Sequence, residues 1–141
     1  MKNVQETIEF IKVMHHDQFD WSGVPYWEHP VAVMHALLPM ASDEDRMIAL
    51  LHDVIEDCRI IMAKHFEVES ASKVTISMGG DYLKQHGFSD YVIEGVKLDT
   101  RIDGHYFHQA YRTRTAGTYM DYINNIIASK HLGGDDDQTS G

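Results

Sequence analysis

The chain has 141 residues and a mass of 16.1 kDa, enough for one hydrophobic core, and reads as a single domain. Apolar content of 43% and charged content of 24% are those of a globular protein, while a net charge of -10 argues against a nucleic-acid partner, which would need a basic stripe. No apolar run approaches the roughly 18 residues of a spanning helix, and the N-terminus lacks a signal-peptide core, so no membrane partner is expected and the chain reads as cytoplasmic.

In chain order, residues 3–18 predict an amphipathic helix with Val4, Ile8, Ile11, Met14 and His15 toward the core. Ser22-Gly23-Val24-Pro25-Tyr26 breaks the helical period. Pro30 suits the first turn of the next helix and pushes His29 away from helical geometry; that helix runs to Pro39. Ser42 and Asp45 form a capping box that opens a helix reaching Cys58. Its density of apolar residues, Met47, Ile48, Leu50, Leu51, Val54 and Ile55, marks it as central.

A short helix is expected over residues 60–66, a connection over 70–80 and a further helical turn over 81–85. Ser89 caps a helix carrying Val92, Ile93 and Val96. Residues 100–117 are polar, with several histidines, aromatics and arginines. A last helix over 118–131 is followed by an acidic tail. No strand is evident, so the expected fold class is all-α, a compact helical bundle. The expected bounds are 1–132 for the domain and 133–141 for a disordered tail.

The candidate chemistry lies in the central helix. His52-Asp53 is followed one turn later by Glu56-Asp57, and residues four apart on a helix stand above one another. Burying such charge among leucines and isoleucines is costly unless an ion compensates. His29, upstream at a His-Pro step, can return to His52 across one helix and a turn. Imidazole nitrogens with a carboxylate oxygen suit Mn²⁺, Fe²⁺, Co²⁺ or Zn²⁺. With Cys58 the lone cysteine, an internal disulfide and an all-cysteine zinc site are excluded.

These residues carry a resemblance. Gln18, Ser22-Gly23-Val24-Pro25-Tyr26, Glu28-His29-Pro30 and Ala49-Leu50-Leu51-His52-Asp53-Val54-Ile55-Glu56-Asp57 resemble the HD-domain metal-dependent phosphohydrolases, within them the alarmone (guanosine tetraphosphate) hydrolase branch of RelA/SpoT-type proteins. Further matches are Gly87-Phe88-Ser89-Asp90, Val96-Lys97-Leu98-Asp99-Thr100-Arg101 and the segment from Thr118 to Ile123. The resemblance implies one metal, usually Mn²⁺ with Mg²⁺ also an alternative, held by His29, His52 and Asp53. It implies Glu56 and Asp57 as the catalytic acids acting on water, and Trp21, Tyr26, Lys97 and Arg101 as substrate-binding residues. The implied partner is a small phosphorylated nucleotide, the implied reaction removal of a 3′-pyrophosphate; homo-oligomerisation is left open.

Three features depart from the family pattern. Asp20-Trp21 stands where the alarmone hydrolases hold the guanine ring with an Arg-Lys pair, and Trp21 either stacks on a base or faces the core. The family closes its site with a late Asp; here residues 128–134 and then Asp135, Asp136 and Asp137 follow the last helix, so the helix bearing a fourth ligand is expected to be missing. Residues 59–83 and 102–117 are longer than the compact family version. The second stretch places His105, His108, Arg112 and Arg114 beside Tyr106 and Tyr111, either a phosphate-binding segment or a polar surface loop. Alternative functions are a nucleotidase or deoxynucleotide phosphohydrolase, a degenerate domain that binds nucleotide or protein without catalysis, and a plain structural bundle.

Overall fold

The computed structural model describes residues 2–37, 39, 41–102 and 105–106. The described part is helical: α1 (Val4–Met14), α2 (Glu28–His35), α3 (Asp43–Leu51), α4 (Val54–Asp57), α5 (Arg59–Phe66), a 3₁₀ turn (Ala71–Lys73), α6 (Ile76–Gln85) and α7 (Asp90–Asp99). Two two-residue strands, β1 (Arg101–Ile102) and β2 (His105–Tyr106), pair antiparallel after α7. This ribbon was not foreseen, but it leaves the all-α class intact. The expected 118–131 helix, the acidic tail and the end of the domain lie outside the described residues.

Local chemistry explains where the helices begin. Asn3 accepts from the Glu6 amide while the Glu6 carboxylate accepts from the Asn3 amide, a closed capping box on α1. Ser42 and Asp45 do the same for α3, both bonds at 3.0 Å. Thr75 and Ser89 cap α6 and α7.

Packing then selects the centre. Met47 to Leu51 are buried in unbroken succession, so α3 is covered all round, by α1, α2 and α7. At the α3–α7 crossing, a Cβ on Gly95 would come within 2.4 Å of Ile48 Cδ1, so only glycine allows the approach. The same holds between α6 and α4, where a Cβ on Gly79 would meet Ile55 Cγ2 at 2.6 Å. The start of α7 is tied to the start of α3: Ser89 donates to Glu44, and the Tyr91 hydroxyl donates to buried Asp45 at 2.7 Å.

Four sequence expectations need correction. The first helix stops at Met14, not residue 18, with His15 as its cap. His29 is helical: α2 begins at Glu28, and Pro30 sits within the first turn, where helix amides have no partner to lose. The same helix ends at His35, before Pro39. Residues 70–80 are not a mere connection, since α6 starts at Ile76; close packing of Gly79 on Ile55 outweighs the poor helix propensity of the Gly79-Gly80 pair.

Candidate metal and catalytic site

The central helix expected to run unbroken to Cys58 is divided. α3 ends at Leu51, α4 begins at Val54, and His52 and Asp53 form the turn between them. Asp53 takes φ -102° and ψ -2°, a bridge conformation common at active sites. On a continuous helix, neighbouring side chains diverge by about 100°. Here the adjacent His52 Nε2 and Asp53 Oδ2 face each other at 3.0 Å. The helical frame resumes at once, since the Asp57 amide bonds the Asp53 carbonyl at 2.8 Å.

His29, from the first turn of α2, brings Nε2 to 4.0 Å from the same Asp53 oxygen, and its ring lies 5.4 Å from that of His52. One donor atom from each of His29, His52 and Asp53 lies within 4.8 Å of the others, and His52 and Asp53 are buried. Asp53, Glu56 and Asp57 form a second such group, running from the buried Asp53 outward to the exposed Asp57. The three residues expected as ligands thus converge on one point, and the two expected catalytic acids stand beside it.

The donor set fits a divalent cation. His52 Nδ1 lies 2.6 Å from the Ala49 carbonyl, which only accepts, so this nitrogen carries the proton. The Nε2 lone pair is thereby turned toward Asp53 and His29, the arrangement by which metal-binding histidines are oriented. In the metal-free chain, burial would lower the His52 pKa. Asp53, by charge and hydrogen bond, together with the Ala49 carbonyl and Asp99, overcomes this and raises it to about 9.

Tyr26 makes a contact that the sequence reading did not include. Its hydroxyl donates to Asp53 Oδ2, and burial followed by the Asp53 charge pushes its pKa well up, so it remains a donor. This contact with the candidate ligand carboxylate is additional to the place against substrate expected from the sequence. The Asp57 carboxyl is raised to about 7 by loss of water and then by Asp53 and Glu56, with His52 and Tyr26 opposing. Because Asp57 is exposed as a residue, the like charges are the firmer cause.

Asp99 closes α7 within the matching stretch from Val96 to Arg101. It is half-buried and electrostatically linked to both His52 and Asp53, and burial first, then Asp53, raises its pKa to about 7 against the pull of His52. The available sequence signal was a carboxylate two residues before Arg101, an expected substrate-binding residue.

The loop between α1 and α2 is closed on itself. Asp20 Oδ1 accepts from the Ser22 and Val24 amides at 2.8 and 2.9 Å, Gly23 takes φ +85°, and Phe19 pairs with Pro25. Trp21 at its tip is 91% exposed, which removes the core-facing alternative. Lys97, half-buried on α7, lies 3.5 Å from Glu94, and its stem occupies the space over Gly80. Arg101 is placed by its backbone, in β1. His108, Arg112, Arg114, Tyr111 and the 128–137 segment, where the helix bearing a fourth ligand is expected to be missing, lie outside the described residues. Among the described residues, no helix is long and apolar enough to cross a membrane.

Comparison with known proteins gives partial similarity. Over 47 residues, a third of this chain, the sequence is 53% identical to the guanosine-3′,5′-bis(diphosphate) 3′-pyrophosphohydrolase of Vibrio cholerae, and over 44 residues it is 52% identical to the protein of that name from Haemophilus influenzae. A longer match, 34% over 79 residues and 55% of this chain, is to the Arabidopsis thaliana protein named "Putative GTP diphosphokinase RSH1, chloroplastic". The matched parts cover only 7%, 6% and 9% of those proteins. No family model and no solved structure matches the chain.

Proposed function

We propose that this chain is a metal-dependent phosphohydrolase acting on a phosphorylated nucleotide, with guanosine 3′,5′-bis(diphosphate) as its first candidate substrate and the 3′-pyrophosphate as the group removed. The convergence of His29, His52 and Asp53 beside an acidic pair is the observation that carries the reading. The partial similarity to proteins named for that pyrophosphohydrolase activity supports the choice of substrate.

In this reading His29, His52 and Asp53 hold one divalent cation, Mn²⁺ before Fe²⁺, Co²⁺, Zn²⁺ or Mg²⁺. When bound, such an ion supplies Lewis acidity, making water more acidic and offsetting phosphate charge. The remaining work belongs to the chain. Tyr26 holds the Asp53 carboxylate by its hydroxyl, and the Ala49 carbonyl fixes the His52 tautomer. Asp57, raised toward neutrality by its neighbours, is suited to take a proton from the attacking water, with Glu56 orienting it. Trp21, exposed beside the Asp20 turn, offers a stacking face for a base. Lys97 and Arg101 supply positive charge for the phosphates.

The test is an assay of the Mn²⁺-loaded chain against guanosine tetraphosphate, deoxynucleoside triphosphates and nucleoside monophosphates in parallel. Release of pyrophosphate from the first, abolished by Asp53→Ala, is expected. No turnover of any of the three classes, or turnover indifferent to Asp53→Ala, removes the hydrolase reading. Nucleotide binding without turnover would instead favour a non-catalytic binding domain.

A further inference from the structure

His15 is a buried histidine that the proposed chemistry does not use. It caps α1 with no exposed surface, and its Nδ1 meets Gln18 Oε1 and, at 3.6 Å, the Cys58 sulfur. Its hydrogen bonds fix more than its place. The Gln18 side-chain amide donates from Nε2 to the Asp57 carbonyl at 2.9 Å, so the other atom of that amide, Oε1, is the one facing His15. Oε1 lies 2.7 Å from His15 Nδ1 and can only accept, so Nδ1 carries the hydrogen. The tautomer is thereby determined, and Nε2 is left as a buried lone pair with no hydrogen-bond partner among the described residues. A side chain kept only to fill space would not carry that cost. The ring also packs against Tyr26, with centroids 5.1 Å apart, and Tyr26 in turn donates to Asp53.

We infer that His15 and Gln18 form a buried positioning bracket for the site, the His15 Nδ1–H fixing the Gln18 amide and Gln18 fixing the backbone of Asp57. The bracket ties the cap of α1 to the backbone on the acidic side of the site, at Asp57. Neither residue touches the reacting atoms. The geometry stands by itself, while its consequence for turnover rests on the phosphohydrolase reading.

Asparagine places an amide N–H where histidine has Nδ1, phenylalanine preserves the volume without it, and glutamine places its amide where histidine has Nε2. A space-filling role ranks His15→Phe as the mildest change. A positioning role ranks His15→Asn mildest, with His15→Phe, His15→Gln and Gln18→Glu all worse; Gln18→Glu keeps the acceptor for His15 but loses the donor to Asp57. The measurement is ¹⁵N NMR of the imidazole and the ¹³C shift of the Asp57 carbonyl in the full chain, with kcat and KM for the Mn²⁺-loaded protein alongside. We expect the Nδ1–H tautomer, and an Asp57 carbonyl shifted by Gln18→Glu and His15→Phe but little by His15→Asn. In turnover, kcat should fall at least tenfold in the first two, recover most of that in His15→Asn, and leave KM within about twofold.

Circular dichroism confines the comparison to folded variants. An Nε2–H tautomer, or an Asp57 carbonyl indifferent to all four changes, overturns the inference. So does a phenylalanine variant more active than the asparagine one. If the unaltered chain turns over no nucleotide, the hydrolase reading fails and the bracket is judged on the NMR result alone.

Discussion

At the scale of single residues, the contacts of Tyr26 and His52 with Asp53 make the candidate cation site testable. Tyr26 donates a hydrogen bond to a carboxylate, a charge-assisted contact that also aims Asp53. Tyr26→Phe removes only the hydroxyl. It should weaken Mn²⁺ binding about 10- to 100-fold, the range for losing an outer partner of a metal ligand. Calorimetric titration of the metal checks this, and unchanged affinity would show that Asp53 needs no such support. His52 and Asp57 set a pH dependence whose sign is unusual for a carboxylate. Both bind protons more tightly when folded, His52 at about 9 against an ordinary 6.5 and Asp57 at about 7 against 3.8. Between each pair of values the unfolded chain has already released a proton that the folded chain keeps, so stability falls as pH rises. For Asp57 that window runs from 3.8 to about 7, and for His52 from 6.5 to about 9. The metal-free chain should therefore show a Tm that declines from pH 5 to 9 at constant ionic strength. A flat or rising profile in thermal denaturation would contradict the assignment.

At the scale of elements, the helix starts at Asn3 and Ser42 were readable, while the starts of α2 and α6 and the break in the central helix were not. Asn3–Glu6 and Ser42–Asp45 are capping boxes between residues three apart, so sequence alone displays both halves of each. The break at His52-Asp53 has no such signal. Apolar periodicity continues through Leu51, Val54 and Ile55, all buried, while the turn brings Asp53 to a tyrosine 27 residues away. Likewise the contact of Gln18 with the Asp57 carbonyl spans 39 positions and belongs to tertiary structure. That His29, His52 and Asp53 would cluster could be expected from residue type and spacing; the turn that brings them together could not. Glycines show the same limit. Gly95 sits in the middle of α7, where propensity alone counts it as a cost, yet a Cβ there would overlap Ile48. Gly95→Ala gains helix propensity but forces Ile48 aside in a fully buried crossing. A net loss of about 1–3 kcal/mol is expected from overpacking, measured by urea denaturation. A stabilised variant would mean that the crossing has slack.

At the scale of the whole molecule, the candidate site lies where separate parts of the bundle meet. His29 comes from α2, His52 and Asp53 from the turn after α3, and Tyr26 from the loop that follows α1. An ion bound there therefore joins elements far apart in sequence, and an unfolded chain cannot present them together. Binding to the folded state alone stabilises it by mass action, by about 2.7 kcal/mol at a hundredfold excess of free metal over Kd. The ligands must be deprotonated to bind, so the metal competes with the proton on His52. Mn²⁺ should thus raise the Tm by several degrees, and the increment should grow from pH 6 to pH 8 as the metal-free form weakens. His52→Gln should remove most of the increment at both values. A small Tm rise that survives His52→Gln, or that shrinks with increasing pH, would place the ion on the acidic surface instead of at the junction of α2, α3 and α4.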